Sequence, residues 1–208
     1  MTADAHPRLP RHQQKAARRS QLLDAAVVLL ESTGSTRFTM EALAAQAGVS
    51  KALPYQHFEN ATDVIAALYE RELGRVGAAI DTATKHLSNG NDALAAAVNA
   101  YFGVLEERGP VLVRLAGTGS PIPSMLFGPF PPPPTFLVEL IERGFGSDRR
   151  TANALAAMVS SIAIAASDIV ARGDGSRDEL ESMATRSVIA AVNASLDVNN
   201  ARYHHPKV

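Results

Sequence analysis

Cysteine is absent from this chain, and that gap removes whole classes of chemistry before any motif is read. There is no disulfide framework, no thiolate nucleophile and no cysteine-ligated metal site, and the absence agrees with a reducing cytoplasm. Aromatic residues amount to only 5% while hydrophobic residues reach 46%, dominated by alanine, leucine and valine, a composition that favours close-packed helices over sheets. No apolar run approaches the roughly 18 residues of a membrane-spanning helix, and the amino terminus lacks the apolar core of a signal peptide. The expectation is a soluble, cytoplasmic protein with no membrane partner, whose 208 residues suffice for one large helical domain or two modest ones.

Catalytic signatures are missing too. The histidines are scattered at 6, 12, 57, 86, 204 and 205, and no HExxH, glycine-rich phosphate loop, GxSxG elbow or kinase-like lysine occurs. No enzyme, cofactor or metal is therefore expected; His204 and His205 read as a polar tail.

What the chain does have is an uneven distribution of charge. The net charge is −1, yet residues 1–58 hold seven Lys/Arg (including Arg18 and Arg37) against four Asp/Glu, leaving 13 basic against 17 acidic residues for the remainder. A basic amino-terminal segment on an acidic body suits a partner made of phosphates, namely double-stranded DNA. Beside that charge lies TMEALAAQAGVSKALPYQHF, residues 39–58. Thr39 is a good N-cap for a helix with Met40, Leu43, Ala44 and Ala47 on one face, and Glu41 favours the positive end of its dipole. Gly48 supplies the left-handed turn, with Val49 folding back onto the apolar face. Ser50 is the expected cap of a second short helix that offers Lys51, Ala52, Tyr55, Gln56 and His57 to phosphates and base edges, while Leu53 and Phe58 anchor it inward. The pattern is a DNA-binding helix-turn-helix.

With RRSQLLDAAVVLLESTG before it and ENATDVIAALYEREL after it, the segment from about 13 to 73 resembles the TetR family of transcriptional regulators. The resemblance implies an all-α fold with a three-helix helix-turn-helix domain and a helical, ligand-binding and dimerising carboxy-terminal domain. It also implies a homodimer, and a repressor released from a palindromic operator by a small molecule. DNA contacts then fall to Arg18, Arg37, Thr39, Ser50, Lys51, Ala52, Leu53, Tyr55, Gln56 and His57. Two positions depart from the family pattern. Pro54 stands inside the second helix, where an amide is usual, and Ala61 stands where a phosphate-touching lysine is common.

The organisation along the chain follows: a basic arm over 1–12, the helix-turn-helix domain over 13–59, an effector-binding and dimerisation domain over 60–200, and a tail over 201–208. A first helix is expected from about Gln13 to Glu31, with Gly34 as a stop. Asn60 caps a long helix to about Leu87, with Asp63 three residues on. Further helices are expected near 92–108, 110–117, 135–145, 149–172 and 177–197, broken at Gly109-Pro110, Gly146 and Gly173. Residues 117–134, GTGSPIPSMLFGPFPPPP, carry seven of the twelve prolines and cannot be an ordinary helix. Met125, Leu126, Phe127 and Phe130 are expected to lie against the body, either as a pocket lid or as a packed loop.

A pocket for an apolar or amphipathic effector would draw on Tyr101, Phe102, Leu105, Arg114, Leu115, Phe127, Phe130, Phe136, Met158, Ile162 and Asp168. Ordinary core packing fits the apolar members equally, and Asp168 has Arg172 one turn on as an alternative partner. Small residues at helical spacing, among them Ala157, Ser161, Ala184, Val188 and Ala191, fit either a four-helix subunit interface or an intrachain core. A sensor or carrier that binds ligand and protein without DNA is the rival function.

Overall fold

The computed structural model describes residues 10–33, 37–117, 120–129 and 131–203, with all side chains in those ranges except Arg11, Pro110 and residues 198–203. The expected arm up to residue 9, Gly34, Phe130 and the tail histidines 204 and 205 lie outside the described residues. Two compact units divide between Glu70 and Arg71.

The first unit contains α1 (Arg11–Thr33), α2 (Met40–Gln46), α3 (Ala52–Tyr55) and the opening of α4 (Ala61–Thr84). Helix α1 buries Leu22, Leu23, Ala26 and Leu30, the stripe its 3.6-residue period sets, and packs on α2, which packs on α3. Thr39 caps α2 by accepting from the Ala42 amide at 3.1 Å. At its other end the Gly48 amide reaches the Ala45 carbonyl and the Val49 amide the Ala44 carbonyl, at 3.1 and 3.0 Å, with Gly48 at φ 66°. This is a Schellman turn, and the left-handed residue it needs is glycine. Helix α4 opens on Asn60, whose side chain accepts from the Asp63 amide, but Asp63 answers to the Glu59 amide, one residue earlier than in a regular capping box.

The second unit is built from the rest of α4, α5 (Gly90–Ala116), α6 (Ile122–Phe127), α7 (Thr135–Phe145), α8 (Arg149–Arg172) and α9 (Arg177–Tyr203). Helices α5, α7, α8 and α9 pack on one another around Leu94, Phe102, Leu140, Ile141, Leu155, Val159, Val188 and Val192. Two expected breaks are corrected. Helix α5 runs unbroken through Gly109-Pro110, because Phe102 on one side of the proline and Val111, Leu112 and Leu115 on the other are all buried on its inner face, and that packing outweighs one lost hydrogen bond. The proline-rich segment contains a helix: Pro121 and Pro123 fall at the start of α6, where no amide is needed, and the Met125 amide makes the first bond, to Pro121. Nor do its large residues all turn inward: Ile122 is fully buried while Met125 and Phe127 remain 50% and 47% exposed.

Helix α8 is the most apolar of the long helices by window. Serines at 160, 161 and 167 interrupt its apolar run, yet an 18-residue window averages a mean hydropathy of 1.9, enough by length and composition to cross a membrane. Core packing accounts for one side of it, through Ala152, Leu155, Ala156, Val159 and Ala163. The opposite side, Ala154, Ala157, Met158, Ser161 and Ala165, is exposed.

Glu72 is a charge that sequence reading missed. It is 1% exposed on α4 and lies 3.1 Å from Arg71 and from Arg108 of α5, with Arg75 at 3.7 Å. Burial of a carboxylate at this depth is tolerable only because it is paired so fully.

Candidate nucleic-acid interface

Helix α3 is a single turn, and its cap is not the expected one. Lys51, not Ser50, is the N-cap residue and makes no side-chain cap bond; the Ser50 carbonyl instead accepts from the Leu53 amide at 3.0 Å. That three-residue spacing explains why Pro54 is harmless. The Ser50 carbonyl that an amide at position 54 would have used is already satisfied one residue earlier, and the Pro54 carbonyl accepts from both His57 and Phe58, at 3.0 and 2.9 Å. Pro54 is itself buried.

With Pro54 and Phe58 buried and Leu53 half-buried, the outward side of this turn is Ser50, Lys51, Ala52, Tyr55 and Gln56, all exposed, with Tyr55 showing 53% of its surface. Thr39, Arg18 and Arg37 are exposed as well, and His57 is half-buried. Leu53 serves mainly as an anchor. Two residues that sequence reading passed over belong to this surface. The Arg19 guanidinium stacks on the Phe58 ring at 5.0 Å, and Lys15 and Arg19 together face His57. Burial first, then these two cations, hold the His57 imidazole below its ordinary value of 6.5. A neutral ring amid cations is a site where phosphate is welcome.

Of the expected effector residues, Tyr101, Phe102, Leu105, Phe136 and Ile162 belong to one core cluster or pack against it. Phe102 and Leu115 are buried in the core, Leu105, Phe136 and Ile162 are partly buried against it, and Met158 and Phe127 are exposed. Arg114 is half-buried. Tyr101 of α5 meets Ser167 of α8 at 3.1 Å, and because the Ser167 hydroxyl donates to the Ile164 carbonyl, Tyr101 is the donor. Asp168 is only 5% exposed beside this pair, and Arg172 bonds Asp174, in the turn that ends α8. An open cleft of about 450 Å³ is lined by other residues, Asn99 of α5 with Arg177, Asp178, Glu181, Ser182, Thr185 and Arg186 of α9. Of the expected subunit-interface residues, Ala157 and Ser161 are exposed and Ala191 is half-buried. Ala184 and Val188 lie in the intrachain core, because the inner face of α9 repeats every three to four residues as an outer one would.

Comparison with known proteins bears on the first unit above all. Residues 22–68 match the family of bacterial regulatory proteins called tetR, and this span holds the Schellman turn and the one-turn helix together. Over that span the chain is similar to the TetR family. Among relatives, the HTH-type transcriptional activator FasR of Mycolicibacterium smegmatis is 33% identical over 99 residues, 48% of this chain and 43% of that protein. The chain thus matches less than half the length of the curated relatives. A TetR-like regulator from Rhodococcus sp. RHA1 superposes with a TM-score of 0.62 at 26% identity, covering 90% of this chain and 99% of that one. FadR of Bacillus subtilis, solved in complex with stearoyl-CoA, does so at 0.61 and 19% identity over 83% and 96%, a likeness of fold. The TetR-family fold therefore extends through both units, although the family's sequence signature stops within α4.

Proposed function

We propose that this chain is a cytoplasmic, homodimeric transcriptional regulator that binds a two-fold symmetric operator and leaves it when a small, largely apolar molecule occupies the second unit. The observation that carries the reading is the outward side of α3, where Lys51, Tyr55 and Gln56 stand exposed on a turn fixed from behind by Pro54, Phe58 and the Arg19 cation. Residues 13–59 form the reading head, and residues 60–200 hold effector and partner. Repression is the direction usual in such regulators, although the FasR relative is named an activator.

The effector class is supported by two facts. The second unit packs around an extensive apolar core, and the FadR neighbour was solved in complex with stearoyl-CoA. Release would be a population shift, with effector favouring a spacing of the two reading heads that no longer fits successive major grooves. The exposed small-residue side of α8, with Ala157 and Ser161 at its centre, is the proposed contact between subunits.

Selection of bound duplexes from random DNA tests this directly. The expected product is an inverted repeat whose half-sites lie about one helical turn, roughly 10 bp, apart or a multiple of it. Enrichment of no sequence would overturn the reading and favour a ligand carrier that acts through protein contacts.

A further inference from the structure

Gln21 sits half-buried on α1, one turn after Arg18. Its amide nitrogen donates to the Ala47 carbonyl at 3.0 Å, and its amide oxygen accepts from Nη1 of Arg18 at 2.8 Å. The chemistry fixes this orientation, since a carbonyl can only accept and a guanidinium can only donate. An amide offers a donor end and an acceptor end, and so bridges the two.

The position of Ala47 gives the bridge its meaning. It is the C-cap residue of α2, and the Schellman turn that follows consumes the carbonyls of Ala44 and Ala45, leaving those nearest the helix end without a partner in α2. Gln21 reaches across 26 residues of sequence to satisfy one of them. The same side chain holds an exposed arginine, of whose five donors it takes one. We infer that Gln21 is a positioning residue for DNA binding, which locks the turn between the two helices of the helix-turn-helix to α1 and presents the Arg18 guanidinium in a fixed pose to a backbone phosphate. This rests on the DNA-binding reading above. It adds that reading-head geometry and a flanking phosphate contact are set by one amide.

The test uses the full chain and a duplex obtained from random-sequence selection. Gln21→Met keeps the bulk and loses both bonds. Affinity should fall about threefold to tenfold, and the slope of log affinity against log salt should shrink by about one, as for Arg18→Ala. In an Arg18→Ala background the same change should leave the salt slope where it is, because Gln21 acts on phosphate through Arg18, and the affinity still lost should be that of the freed turn alone. Gln21→Glu, almost identical in size, keeps a partner for Arg18 but sets a carboxylate against the Ala47 carbonyl. It should preserve the salt slope while hastening hydrogen exchange at the Gly48 and Val49 amides. An unchanged affinity and slope in Gln21→Met, or a further fall of the salt slope in the Arg18→Ala background, would overturn the role. Should the Met variant fail to fold, the Glu variant decides alone: unaltered exchange at Gly48 and Val49 defeats the proposal. A wild-type chain that selects no duplex removes the DNA-binding reading and this role with it.

Discussion

The guanidinium of Arg19 lies 5.0 Å above the ring of Phe58, so a cation on the first helix closes over the residue that ends the recognition segment. Phe58 is 3% exposed, and a cation so placed contributes about 0.5–1 kcal/mol beyond the ring's burial. Burial first, then Lys15 and this same cation, oppose protonation of His57.

A pH dependence follows from that opposition. His57 binds its proton less readily in the folded chain than in the unfolded one, so its contribution to stability is complete above pH 6.5 and is lost as pH falls through the lower folded value. Arg19→Met should bring the His57 titration back toward its ordinary value and flatten this acid limb. Proton NMR of the His57 ring across pH 4–8 is the measurement, and a titration midpoint indifferent to the substitution would contradict the assignment.

Glu72 should be among the most costly charges to remove. Glu72→Gln leaves the guanidiniums of Arg71 and Arg108 facing one another without their shared carboxylate, a loss on the order of 3–5 kcal/mol. Arg75→Ala, which deletes the longest and most exposed of these contacts, should cost under about 1 kcal/mol. Urea unfolding of the two variants reads the contrast; equal midpoints would mean the burial of Glu72 is unimportant.

Two glycines of α5 should respond to alanine with opposite sign. A methyl group at Gly90 would come within 2.6 Å of the Gly144 carbonyl oxygen and 2.7 Å of the Phe145 ring, so Gly90→Ala must push α5 and α7 apart at about 1–3 kcal/mol. Nothing lies within 4 Å of a methyl at Gly103. Gly103→Ala should therefore stabilise the helix by roughly 0.5–1 kcal/mol. Calorimetric midpoints moving the same way for both would show that the close approach is not there.

Tyr101 titrates far above the ordinary phenol. Burial first, with the nearby Asp168 carboxylate adding to it, pushes its pKa up to about 12. Because the folded value is the higher one, the stability tied to the neutral phenol is intact below pH 10 and is lost as pH rises toward 12. Tyr101→Phe should abolish that alkaline limb and cost about 0.5–1.5 kcal/mol at neutral pH, through the bond to Ser167. Ultraviolet titration of the phenols, with and without Tyr101, checks it.

Association is tested on the outer side of α8. Ala157→Arg places a long cation on an exposed surface of this chain, so folding should survive while a two-subunit contact there would not. Light scattering should report monomers and operator binding should weaken sharply. A dimeric variant moves the contact elsewhere.

What was legible in the sequence was whatever local chemistry alone decides. Thr39, Gly48 and the apolar stripe around Leu43 specify α2 and its turn without reference to the rest of the chain, and Gly146 and Gly173 end α7 and α8 by left-handed caps as their position implied. Features decided by partners distant in sequence were not legible. Nothing near Glu72 announces a guanidinium 36 residues away, and the period of α9 is the same whether Val188 meets its own chain or another. Pro110 misleads for the same reason, since a local penalty is overruled by packing that composition does not reveal. Gln21 looks like any polar residue on a basic helix until Ala47 is brought beside it.

Pro54 has a thermodynamic consequence for recognition. A four-residue helix is too short to hold itself together, and most such turns would sample many shapes until ordered by their target. Here the ring fixes one backbone angle permanently, and the Ser50 and Pro54 carbonyls are occupied by neighbours inside the same turn. Less disorder remains to be surrendered when the turn enters a groove, so affinity is drawn more from contacts and less eroded by ordering. Restoring an ordinary residue, as in Pro54→Ala, would return an amide to the chain and a degree of freedom along with it.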